Sequence, residues 1–199
     1  MHLSTHHYIQ DIQWLEEYIK SRCIQMFTPD SEYAMQQLKP SWLRAPIIES
    51  HYYALLKNFN VEEGLVILIA LANQVHPTIW ESIGKTFDDH QINVDRLSYL
   101  GLSELPATSH MQATMSTVLF LLGGTTLHKQ APFWRLFTPN APLQRLGILE
   151  WSKASDIPDL GTVLRLSPSF LQQLLTGQPL QPQYAPDFPA TPLTTTKTW

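Results

Sequence analysis

Residues 131–177 read APFWRLFTPNAPLQRLGILEWSKASDIPDLGTVLRLSPSFLQQLLTG. Ala131 to Phe137 and Ala141 to Leu146 are short helical stretches separated by Pro139-Asn140, a turn dipeptide. Gly147 to Lys153 alternates as a strand does, with Ile148, Glu150 and Ser152 on one side and Leu149, Trp151 and Lys153 on the other. Ala154 to Leu160, with Asp156, Pro158 and Asp159, forms a turn, and Gly161 to Leu166 is a second strand. The two strands are expected to pair as an antiparallel hairpin with a long tip. Ser167-Pro168 then places an N-cap before a Pro at the first helical position, opening a helix that stops at Gly177.

Outward from this stretch, residues 178–199 carry Pro179, Pro182, Pro186, Pro189 and Pro192 and end in a Thr-rich run, the composition of an extended linker. Upstream the chain is helical. Over 5–27, Tyr8, Ile12, Leu15, Ile19, Cys23 and Met26 recur every three or four residues as one apolar stripe, with Asp11, Glu16, Glu17, Lys20 and Arg22 mostly off it. Pro29 stops that helix, and Glu32 to Leu38 suits a short one. Further helices are expected over 50–59, 61–75, 77–87 and 109–122. Asn60 caps the second of these, with Glu62 and Glu63 in its first turn. Leu65 to Ala72 is apolar on every side, which marks the central core helix. Residues 88–108 are polar and broken, and Gly123-Gly124 suits a helix C-cap.

Several helices, a short helix and a two-stranded hairpin follow the order of a winged-helix domain. The fold class is therefore mainly α (α+β): a helical N-terminal segment over 1–46, a winged-helix-like domain over 47–177 and a Pro/Thr-rich linker over 178–199. Fold alone does not assign function.

The 199 residues carry 13 Lys/Arg against 17 Asp/Glu, a net charge of −4, so no basic excess draws in nucleic acid or an anionic membrane. Charged residues make up 15%, against about 25% in a typical domain. Such a surface points to a large buried interface or to a part of a larger protein. The single cysteine, Cys23, excludes an internal disulfide and a Cys-based zinc cage, and suits a reducing compartment. No run reaches the ~18 apolar residues of a spanning helix, and MHLSTHHYIQD lacks the pattern of a secretory signal.

Candidate chemistry is sparse. Gly84-Lys85-Thr86 matches the end of a phosphate-binding loop, but the pattern needs Gly at 79, where Ile stands, and a strand leading in. Gly123-Gly124-Thr125-Thr126 lacks the Lys. His2, His6 and His7 include an i, i+4 pair with only Asp11 nearby, which reads as a solvated terminus rather than a metal site. Cys23 on the apolar stripe reads as buried and inert. The pairs Glu16-Glu17, Glu62-Glu63 and Asp88-Asp89 diverge on a helix and do not converge on a substrate. No catalytic, cofactor or metal residues are assigned.

Over 129–165, Lys129, Arg135, Arg145, Lys153 and Arg165 face Glu150, Asp156 and Asp159, an excess of two positive charges, with Trp134 and Trp151 among them. Arg with Trp is the composition of a protein-interface hot spot. Trp134, Arg135, Arg145, Trp151, Lys153 and Arg165 are the candidate partner-binding residues.

Pro139, Ala141, Pro142, Leu143, Arg145, Leu149 and Glu150, followed by Leu164, Leu166, Phe170, Leu171, Leu174 and Gly177, resemble a pattern from the N-terminal region of a family of bacterial AAA+ ATPases. The helix from Phe59 to Ala72 resembles an upstream helix of the same region. The likeness covers about 50–177. It departs at Glu62-Glu63-Gly64, where the family usually has a Glu-Arg-Asp stretch, and at Gln144, where it often has Arg. This chain has neither Walker motif. The resemblance implies an N-terminal piece of a longer protein whose ATPase module, with its ATP and magnesium and its hexameric assembly, follows the linker.

The family recurs with contractile, phage-tail-like injection particles. Resemblance therefore implies a cytoplasmic, non-catalytic adaptor or regulatory domain that binds protein partners such as particle components, and neither nucleic acid nor membrane. The rival reading is a nucleic-acid-binding winged helix of transcription-factor type, against which the net charge speaks. A small enzyme would need a convergent polar cluster, and the sequence offers none.

Overall fold

The computed structural model describes residues 3–27, 40, 51–89, 92, 100–104, 110–150 and 159–178, with side chains from His7 onward. The expected helix at 32–38, the end of the first expected strand with Trp151 and Lys153, most of the expected turn (154–158) and the linker from 179 lie outside the described residues.

Helix α1 (Leu3–Phe27) buries Ile12, Leu15, Ile19 and Cys23 as its stripe demands, and packs on α3 (Val61–Val75) and α4 (Ile79–Asp89). Asp11, expected mostly off the stripe, is fully buried. It lies four residues before Leu15 and so projects from the same face. Helix α2 (His51–Leu56) is shorter than the expected 50–59 and buries Tyr52, Tyr53 and Leu56.

Helix α3 begins with a reciprocal cap. Asn60 Oδ1 accepts from the Glu63 amide at 2.8 Å, and Glu63 Oε2 accepts from the Asn60 amide at 3.0 Å. Every residue from Glu63 to Asn73 is buried, so this is the central helix that its all-round apolarity predicts. Helix α4 contributes fully buried Ile79, Trp80, Ile83 and Phe87.

The regular sheet is not where the sequence places it. Strands β1 (Leu102–Glu104) and β2 (Met111–Ala113) pair antiparallel, with Leu102 opposite Ala113 and Glu104 opposite Met111. They occupy a stretch read as broken coil and the start of a helix expected over 109–122. That helix, α5 (Met115–Gly123), starts later because Thr114 is its N-cap, with the Thr117 side chain accepting from the Thr114 amide at 3.0 Å. The first amides of α5 also donate to the Thr162 and Leu160 carbonyls.

Next to β2 run residues 162–166. Thr114 stands antiparallel to Val163, and the Leu164 amide donates to the Ala113 carbonyl at 3.2 Å. Farther along, Leu149 stands antiparallel to Leu166, flanked by Glu150 N–H to the Arg165 carbonyl and Ser167 N–H to the Ile148 carbonyl. The expected hairpin of 147–153 with 161–166 is thus antiparallel but reduced, among the described residues, to one bridge. Val163 and Leu164 turn to β2, and side chains from α3 take the main-chain groups of Leu164 and Leu166.

Those side chains are Asn73 and Gln74. Asn73 Nδ2 donates to the carbonyls of Ala113 and Leu164, and its Oδ1 accepts from the Ala113 amide and from Trp80 Nε1, all at 2.9 Å. Gln74 exchanges two hydrogen bonds with the main chain of Leu166. The end of the central helix therefore acts as a strand neighbour.

Helix α6 (Leu127–Gln130) runs into a 3₁₀ helix (Ala131–Phe137), followed by α7 (Pro142–Arg145) and α8 (Pro168–Thr176). Ser167 caps α8, and Gly177 ends it with φ 73°, both as expected. A Cβ at Gly177 would lie 2.7 Å from the His51 ring, so close packing on α2 also requires this glycine. One apolar core runs from Ile12 to Leu174 and takes side chains from each of these helices except α6. Among the described residues no helix is long and apolar enough to cross a membrane.

Candidate interaction surface

The segment from Gly124 to Leu149 is anchored from within and exposed along its outer side. Gly124 caps α5 with φ 78°, and Gln130 Nε2 donates to its carbonyl at 2.7 Å, which folds α6 back on α5. A Cβ on Gly123 would meet the Gln130 backbone at 2.6 Å, so the two helices are close enough to require glycine there. Leu136, Phe137, Leu143 and Ile148 plug into the core.

What remains outside is apolar and cationic. Leu127 is 71% exposed, Leu146 65% and Trp134 38%. Leu127 and Trp134 are seven residues apart on one continuous helical segment, about two turns. Arg135 Nη2 donates to Glu62 Oε2 at 2.6 Å, tying the segment to the start of α3. Lys129, Arg145 and Arg165 are exposed, and none forms an ion pair among the described residues.

Of the predicted partner-binding residues, Trp134 and Arg135 are neighbours on the 3₁₀ helix. Arg145 ends α7, which packs against that helix. Arg165 lies on the bridge-forming strand next to Glu150. Trp151 and Lys153, expected on the first strand, lie outside the described residues. Sequence reading missed Leu127 and Leu146. Their signal was an apolar residue at a helix end, Leu127 after Thr125-Thr126 and Leu146 before Gly147.

The other candidates resolve into structure. Gly84-Lys85-Thr86 lies inside α4, where backbone amides serve the helix and do not wrap a phosphate. Burial pushes the Cys23 thiol up to about 12, against the opposing pull of Arg22, so it is a packing residue. His7 is not part of a solvated terminus: it is partly buried in α1, and its ring lies 4.6 Å from that of Tyr53. Burial, and then the neighbouring Asp11 carboxylate, push the Tyr52 phenol well above its ordinary value. Among the described residues no three His, Cys, Asp or Glu side chains gather as a metal site.

These features define a mainly α domain with a small two-stranded antiparallel sheet, which exposes Leu127, Leu146, Trp134 and several cations. The chain matches no protein-family model, no characterised protein and no solved structure.

Proposed function

We propose that this chain is a non-catalytic docking module, the N-terminal adaptor or regulatory region of a bacterial AAA+ ATPase. The observation that carries the docking role is the exposure of Leu127, Trp134 and Leu146, together with Lys129 and Arg145, within the one segment 127–146. Exposed apolar anchors next to arginine and tryptophan are what protein interfaces bury at their centres. The link to an ATPase rests on the residue resemblance over 139–150 and 164–177. Under this reading ATP and magnesium bind a separate module, through which the protein forms a hexamer. The work is done in the cytoplasm, on protein partners such as components of an injection particle.

The test places a photoreactive amino acid at position 134 and, as a control, at Lys85 on α4, in the natural host. Discrete cross-links from 134 but not from 85, to a protein partner of defined mass, are expected. Equal and diffuse labelling from both positions defeats the docking role.

A further inference from the structure

We propose that the occupant of the Leu127–Trp134–Leu146 face is an acidic segment of a partner protein carrying apolar anchor residues. This rests on the docking role proposed above and adds the chemistry of the partner. Between Glu104 and Glu150 the chain contains no Asp or Glu at all, although it has 17 of them. The same stretch holds Lys129, Arg135 and Arg145, so it carries +3 and the remainder of the chain −7. The molecule is thus polarised, and its longest acid-free stretch is the one that exposes Leu127, Trp134 and Leu146.

The structure contains an internal example of the recognition proposed. The Glu62 carboxylate sits on Arg135 at 2.6 Å, at the edge of this face. Lys129 and Arg145 carry no such carboxylate among the described residues and are exposed to receive one. Like charge on a surface repels basic partners and steers acidic ones, while the apolar anchors supply burial.

A nucleic acid fits less well. Duplex binding is built from many phosphate contacts, and here Lys129 and Arg145 have no carboxylate partner among the described residues while Arg135 is already engaged by Glu62. Leu127 and Leu146 would gain nothing against a phosphate backbone.

Displayed random short peptides, selected on the full chain at low salt, provide the test. Enriched sequences are expected to combine Asp or Glu with Leu, Phe or Trp. Reversing charge with Lys129→Glu and Arg145→Glu should weaken their binding about tenfold at low salt and much less at high salt, because screening removes the electrostatic share. Lys129→Gln and Arg145→Gln provide the milder pair should charge reversal disturb folding, and melting curves check both. Neutral binders that survive these changes but are lost in Leu127→Ser with Leu146→Ser overturn the acidic partner and leave the docking role standing. Binding insensitive to either set overturns both, as does failure to select any peptide. Tighter binding of a short DNA duplex than of the selected peptides also overturns the acidic segment.

Discussion

Asn73 and Glu16 show how single polar side chains hold this molecule. All four hydrogen-bonding positions of the Asn73 amide are used inside the core, joining α3 to α4, β2 and the strand at 164. Asn73→Ala would strand the Trp80 indole N–H and main-chain groups of Ala113 and Leu164 without water, so a loss of about 2–4 kcal/mol is expected in denaturant unfolding. An Asn73→Ala protein as stable as the parent would contradict this role. Glu16 offers a pH test. Burial alone would raise its pKa, but hydrogen bonds from Lys20 and Ser82, with the charges of Lys20 and His76, outweigh it and hold the carboxyl below 4.5. A lowered folded pKa favours the ionised, folded form, so the contribution is complete above about pH 4.5 and disappears as pH falls through the folded value. Stability measured across the acid range should therefore fall less steeply in Glu16→Gln than in the parent; parallel curves would rule the contribution out.

At the scale of elements, α3 dominates. Leu68 and Ile69 are both fully buried, though about 100° apart around the axis, on a helix with no solvent face over Glu63–Asn73. Leu68→Ala or Ile69→Ala should each cost about 2–5 kcal/mol, the range for large-to-small changes in a packed core. Thermal melts decide this, and unchanged melting in both variants would show that the helix is not the core. The caps of α3, α5 and α8 follow directly from Asn60, Thr114 and Ser167, because a short polar side chain before a helix satisfies amides that have no partner within it. The strands are different. Leu102–Glu104 and Met111–Ala113 are three residues each, too short for period-two alternation to register in the sequence. Their pairing depends on Asn73 and on Val163 and Leu164, which arrive from far along the chain.

For the whole molecule, the location of Gly84-Lys85-Thr86 within α4 leads to a further expectation. Calorimetry of this chain with ATP and magnesium should give no heat of binding; micromolar binding would return nucleotide chemistry to this domain. The candidate surface was half legible. Trp134, Arg135, Arg145 and Arg165 stood out as residue types that interfaces favour. That Arg135 is tied to Glu62, and that Leu127 and Leu146 stand in solvent, depended on which side of a broken helical segment reaches the core.

Local chemistry explains what could be read from the chain alone. Apolar spacing located α1 and α4, all-round apolarity located α3, the Ser167-Pro168 cap and Gly177 located α8, and the missing glycine at Ile79 argued against a phosphate loop. These features depend on neighbours within about two turns of helix, so the order of residues already contains them. Tertiary packing decided the rest: the burial of Asp11, the site of the regular sheet, the turn of Val163 and Leu164 toward β2, and the clamp from Asn73 and Gln74. Each joins groups separated by tens of residues, and a buried polar group settles only where the whole fold brings it a partner.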